Sequence, residues 1–153
     1  MRRTDREIRD RDGIEEILGS CTVMHLGLCC DGIPYVVPVS YGYHGDSLYF
    51  HSAPSGMKLD FIRRNRVVCF QVDTCRELVE AREPSDYDMR YRSVIGWGRA
   101  FLIEDEEEKA KALDILMRQH GGPEGPYPDG TLDRVTVVRV DIDRMTGKHG
   151  SER

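Results

Sequence analysis

Three strands and two turns are written into one stretch, Cys21-Thr22-Val23-Met24-His25-Leu26-Gly27-Leu28-Cys29-Cys30-Asp31-Gly32-Ile33-Pro34-Tyr35-Val36-Val37-Pro38-Val39-Ser40-Tyr41-Gly42-Tyr43-His44-Gly45-Asp46-Ser47-Leu48-Tyr49-Phe50-His51. Cys21–Leu28 is short, apolar and rich in β-formers. Asp31-Gly32 is a hairpin turn, because glycine accepts positive φ without steric cost. Ile33–Tyr43 is the second strand, Gly45-Asp46 the second turn and Ser47–His51 the third strand. Strands joined by turns this tight run antiparallel. Pro34 and Pro38 cannot donate ladder hydrogen bonds, which predicts an edge, a bulge or a ligand beside that strand.

Outward from this meander the pattern alternates. Upstream, Thr4-x-x-Glu7 and Asp12-x-x-Glu15 fit the capping-box pattern, and Ile14, Ile17 and Leu18 form a short apolar stripe, so the N-terminal part reads as helix ending at Gly19. Downstream come a helix over Ser55–Arg64, a strand over Arg66–Asp73 and a polar, irregular stretch over 74–90. A strand follows over Ser93–Ile103, in which Gly96 and Gly98 mark a bulge or a close backbone approach. Asp105–His120 is a helix with an acidic first turn that suits the helix dipole. After the loop at 121–130 the last strand covers Thr131–Ile142. About six strands and three helices result, mostly linked by turns. This predicts a mainly β fold, an antiparallel sheet or small barrel with peripheral helices.

The chain has 153 residues, enough for one domain with its own core. We expect a single domain over 1–148, with 149–153 a frayed tail. The balance of 27 acids against 22 bases gives a formal charge of −5, a poor match to a nucleic-acid backbone. No apolar run approaches the roughly 20 residues of a membrane span. The charged start Met1–Glu7 has no apolar stretch behind it, so a cytoplasmic protein is expected. The five cysteines, Cys21, Cys29, Cys30, Cys69 and Cys75, then read as free thiols.

Chemistry concentrates in Phe50-His51-Ser52-Ala53-Pro54-Ser55-Gly56-Met57-Lys58. A strand ends in small hydroxyl residues and enters a helix, whose start offers unpaired amides and a positive dipole end to an anion such as phosphate. Ser52 and Ser55 add hydroxyls and Lys58 a cation. The competing reading makes Ser55 a plain helix cap and Lys58 a solvated lysine. In Pro38-Val39-Ser40-Tyr41-Gly42-Tyr43, alternation leaves Pro38, Ser40 and Gly42 on one small face that can accept a flat ring. In Arg90-Tyr91-Arg92-Ser93-Val94, the arginine forks suit either an anion or structural ion pairs. His25, His44 and His51 lack a third ligand, so no metal site is expected.

The pieces together carry more than any one of them. Pro34-Tyr35-Val36-Val37-Pro38-Val39-Ser40-Tyr41 is followed by Leu48-Tyr49-Phe50-His51-Ser52-Ala53-x-x-Gly56-x-Lys58 and by Asn65-x-Val67-Val68-Cys69-Phe70-x-Val72. Arg90-Tyr91-Arg92-Ser93-Val94-Ile95-Gly96 and Met145-Thr146-Gly147-Lys148 complete the order. Over residues 1–148 this resembles the FMN-binding split-barrel family related to pyridoxamine 5′-phosphate oxidase, and within it the nitroimidazole-resistance branch. The resemblance implies a six-stranded antiparallel split β-barrel and a homodimer with FMN at its interface. It implies phosphate contacts from Ser52 and Lys58, a ring lined by Val39, Ser40 and Tyr41, and approach by Ser93 and Val94. Arg90 or Arg92 would lie near the phosphate or the partner chain. His51 lies near the cofactor and is the candidate catalytic residue. The implied activity is an NAD(P)H-linked, flavin-mediated reduction of a small organic acceptor, with nitroaromatics among the candidates; the alternative is a non-catalytic flavin, haem or deazaflavin binder. The tail Asp141-Ile142-Asp143-Arg144-Met145 lacks the arginine–histidine substrate motif of the oxidase proper.

Overall fold

The structure, a computed structural model, describes residues 4–150. Eight strands carry the fold: β1 (Glu7–Ile8), β2 (Val23–Cys30), β3 (Ile33–Ser40), β4 (Gly42–His44), β5 (Ser47–Ser52), β6 (Val67–Val79), β7 (Asp88–Ile103) and β8 (Thr136–His149). Three α-helices join them: α1 (Arg11–Ser20), α2 (Met57–Arg64) and α3 (Glu106–Gln119). The strands form one antiparallel sheet in the order β3-β2-β6-β7-β8-β5-β4, with β1 added on β8. The mainly β, split-barrel class expected from the sequence is the one observed. β3 is an edge strand, which is how Pro34 and Pro38 are tolerated.

Eight strands replace the expected six for two local reasons. Ile33–Tyr43 breaks at Tyr41, and Glu7–Ile8 pairs with Gly147–Lys148 instead of extending a helix. α1 accordingly begins later, capped by Asp10, whose carboxylate accepts from the Gly13 amide at 2.8 Å. The irregular stretch expected over 74–90 is largely a hairpin. β6 runs on to Val79 and β7 begins at Asp88, with a bulge between Thr74 and Glu77. The cross-strand pair of Arg90 with Glu77, 2.6 Å apart, joins this extension. β8 starts after a 3₁₀ turn at Leu132–Arg134 and continues to His149, so the end expected to fray is paired as far as Arg92↔His149. Residues 151–153 lie outside the described residues.

Alternation sets the two faces of the sheet. Leu26, Leu48, Phe50, Phe70, Val72 and Val94 are fully buried in the barrel core, together with Tyr41. The register shift at Trp97/Gly98 is the bulge anticipated there; a Cβ on Gly98 would collide with the Asp141 carbonyl. On the outer face the register lines up Val36, Gly27, Cys69, Trp97 and Arg144 in one row across β3, β2, β6, β7 and β8. A second row holds Pro38, His25, Gln71, Ile95 and Thr146. Val23, Val36, Val67 and Ile95 are exposed on this face. At the other end of the sheet, α3 covers β4 and β5, with Ala112 packed against Val137 and Ile103.

Candidate functional site

At the β5–α2 junction a helix starts without a side-chain cap. Gly56, at φ 140°, occupies the helix N-cap position, a conformation that L side chains rarely adopt. No side chain caps α2, so Ser55 is not the cap and the first-turn amides are left without a side-chain acceptor. Phe50 and Ser52 lie on the same face of β5, and the Lys58 ammonium sits 5.5 Å from the centre of the Phe50 ring. Lys58 is half-buried and has no carboxylate partner among the described residues. Burial therefore pulls its pKa below the ordinary 10.5, with no opposing charge to restore it. A desolvated cation, two unengaged hydroxyls and an uncapped helix start at one corner suit a phosphate monoester.

His51 lies on the opposite face of β5 from Ser52. There it lines a cleft of about 360 Å³ with Ser40, α3 and the 121–135 segment. Leu113, Leu116, Met117 and Val135 give the cleft an apolar lining. His120, the residue after α3, stands at the same cleft, and its Nε2 lies 3.2 Å from the Tyr41 carbonyl oxygen. The loop after α3 is pinned by Asp114, which accepts from the Tyr127 hydroxyl at 2.8 Å and the Gly125 amide at 2.9 Å. The place of His120 and this loop at the cleft escaped the sequence reading. Their only signal there was a histidine followed by Gly121-Gly122, which reads as a helix stop.

The remaining candidates divide by position. Val39, Tyr41 and Val94 send their side chains into the core, so their backbone alone can meet a ligand. Tyr41 donates its hydroxyl to the Leu18 carbonyl at 2.6 Å, and burial pushes its pKa well up. Gly42, read as part of a small open face, is filled by the backbone of α3 at Ile115 and Leu116. Ser93 lies on the outer sheet face, beside Ile95, Trp97, Arg144 and Lys148. Arg92 forks onto Glu16 at 3.1 and 2.9 Å and reaches the Gly13 carbonyl at 3.2 Å, clamping α1 to β7. The Arg92 guanidinium holds the Glu16 carboxyl below its usual range. Arg90 and Arg92 stand at the far end of the sheet from the β5–α2 corner. β8 faces Ser52 at Thr136 and Arg92 at His149, roughly 40 Å apart along the strand. A single chain thus brings Ser40 to His51 in one cleft and Lys58 over Phe50, two residues from Ser52, and leaves both arginines elsewhere.

An antiparallel split barrel with a helix starting just after β5 defines a class of fold. The family model described as pyridoxamine 5′-phosphate oxidase matches residues 10–149, and the chain belongs to that family. Among solved structures, a proposed 5-nitroimidazole antibiotic resistance protein from Bacteroides thetaiotaomicron VPI-5482 is 38% identical, with a TM-score of 0.84, over 94% of this chain and 86% of that one. Flavocytochrome Anf3 from Azotobacter vinelandii is 26% identical at a TM-score of 0.81, over 97% of this chain and 71% of its own. An FAD-binding protein from Mesorhizobium loti is 26% identical at 0.69, over 94% and 96%. A curated protein of Rhizobium meliloti (strain 1021), described as uncharacterized, is 32% identical over 65 residues, and the match spans 42% of its length.

Proposed function

We propose that the protein is an FMN-dependent oxidoreductase that uses NAD(P)H to reduce a small organic acceptor, with nitroaromatics as candidates. The observation that carries this reading is the Lys58 ammonium, desolvated and without a carboxylate, beside an uncapped helix start. Lys58, Ser52 and the α2 amides hold the FMN phosphate, and the backbone of residues 39–41 with Ser93 and Val94 borders the ring. Bound FMN would supply the hydride chemistry that links a reduced nicotinamide to the acceptor. His51, whose imidazole has no hydrogen-bond partner among the described residues, stands at the mouth of the apolar cleft where the acceptor docks, placed to pass a proton to it. Two copies meet through the outer sheet face that exposes Val36 and Ile95, which brings Ser93 of one chain toward the other, while Arg90 and Arg92, on the opposite face of β7, keep their ion pairs within the chain. The proposed working location is the cytoplasm.

The alternative is a binding module that holds a flavin or haem without turnover. Two imidazoles at one apolar cleft, His51 and His120, favour it, as does the likeness to a flavocytochrome. Oxidation of NADH and NADPH, followed with and without a nitroaromatic acceptor, separates the two. The oxidoreductase reading expects acceptor-dependent turnover that falls at least tenfold in His51→Ala while flavin content is kept. A flavin-loaded protein with no turnover on either nicotinamide overturns it.

A further inference from the structure

The cleft behind β5 has a polar rim whose hydrogen-bonding sense is fixed by the fold. The Tyr41 carbonyl can only accept, so the 3.2 Å contact from His120 puts a proton on Nε2, and in the neutral form of the ring Nδ1 is then a bare lone pair. No described residue takes up Nδ1. That carbonyl is itself immobile. Tyr41 is fully buried, its hydroxyl is bonded to Leu18 and its amide donates to the Thr22 carbonyl at 3.1 Å. The preceding residue, Gln119, accepts from the Tyr43 amide at 2.6 Å and donates to the Leu18 carbonyl at 3.0 Å, which clamps the end of α3. His120 is therefore a preset acceptor at the edge of an apolar pocket.

We propose that His120 is a specificity-determining residue, and that the cleft takes a neutral one- or two-ring aromatic or heteroaromatic molecule carrying an N–H or O–H on its edge. The donor meets Nδ1 of His120, and the ring lies on Leu113, Leu116 and Met117. The size fits: an apolar cavity of about 150 Å³ accepts benzene, and this cleft has about 360 Å³. A ligand with only an acceptor at that edge sets lone pair against lone pair and loses the bond. That this ligand is also the molecule reduced rests on the oxidoreductase reading; that it binds does not.

Indole and benzofuran test this directly, since they share a shape and differ in one N–H. Calorimetric titration of the purified protein, carrying whatever cofactor it retains, is expected to show indole binding about 5–10-fold tighter, the worth of one net hydrogen bond. In His120→Phe the preference shrinks to within about twofold, with benzofuran affinity retained. Equal affinities in the wild type, a preference that survives the substitution, or binding of neither probe overturns the proposal. Nitrogen-15 NMR of the unmutated protein gives a second reading that needs no variant. An unprotonated Nδ1 in neutral His120 supports the proposal, and a protonated one contradicts it. Loss of nicotinamide turnover with an intact indole preference would overturn the oxidoreductase reading alone.

Discussion

Lys58 carries the largest functional weight of any single side chain, and its chemistry gives two linked predictions. A cation whose folded pKa lies below its unfolded 10.5 costs stability while it is charged in the fold. Between the two values the unfolded chain binds more protons, so stability rises with pH through that window. Cofactor-free protein should therefore melt at increasing temperature as pH approaches 10.5, and Lys58→Met should flatten that rise. An anion in the cradle restores the charged form, so saturating FMN should flatten it as well. Lys58→Ala should weaken FMN binding about 10–100-fold, the range for losing a charged hydrogen bond, as read from retained flavin absorbance. A melting profile identical in wild type and Lys58→Met would remove the desolvated cation from the account. Arg90 and Arg92 carry the opposite lesson. The sequence offered both an anion-binding and an ion-pair reading, and within the chain the pairs with Glu77 and Glu16 are the ones formed.

Among the elements, α3 walls the cleft beside His51, and it can do so because β4 presents no side chain at Gly42. A Cβ there would stand 2.8 Å from the Leu116 amide nitrogen and 2.9 Å from the Ile115 carbonyl carbon, both backbone atoms that cannot swing aside. Gly42→Ala should push α3 outward and destabilise the fold by about 1–3 kcal/mol, measured by urea denaturation. An unchanged midpoint would mean that α3 is not seated through this contact. At the same scale, the meander, α2 and α3 were legible because turn glycines and apolar periodicity are local signals. The β6–β7 extension was not. Residues between 74 and 92 pair across a bulge, and the cross-strand partners lie 9 to 18 residues apart, from Val79↔Asp88 to Thr74↔Arg92. β8 was displaced for a related reason. Asp143 and Arg144 break the apolar alternation, yet they sit at the bulge opposite Trp97, with the Arg144 guanidinium stacked 4.4 Å from that ring's centre. At the Ser52–Lys58 corner the sequence left a plain-cap reading of Ser55 open, and the structure removes that reading because no side chain caps α2. His120 was not legible, because its role depends on the Tyr41 carbonyl 79 residues away in the chain.

The whole molecule explains why a single chain looks unfinished. The cradle, the His51 cleft and the arginine pair occupy separate places on the protomer, while the outer sheet face leaves Val36 at 64% and Ile95 at 41% exposure. These exposed apolar side chains on one sheet face fit the proposed contact between two copies. Sedimentation should give twice the mass of the chain, and Ile95→Asp should give a monomer that no longer retains flavin. A wild-type monomer that holds flavin would show that each cradle is complete alone. The central claim is that the β5–α2 corner holds an FMN phosphate, and the identity of the cofactor released from freshly purified protein tests it most directly. Denaturation followed by mass spectrometry should yield FMN at about one per chain, and Lys58→Ala prepared in parallel should yield little. A wild-type protein that releases no flavin and whose melting temperature does not respond to added FMN would contradict the account, since a ligand that binds only the folded state must raise its stability.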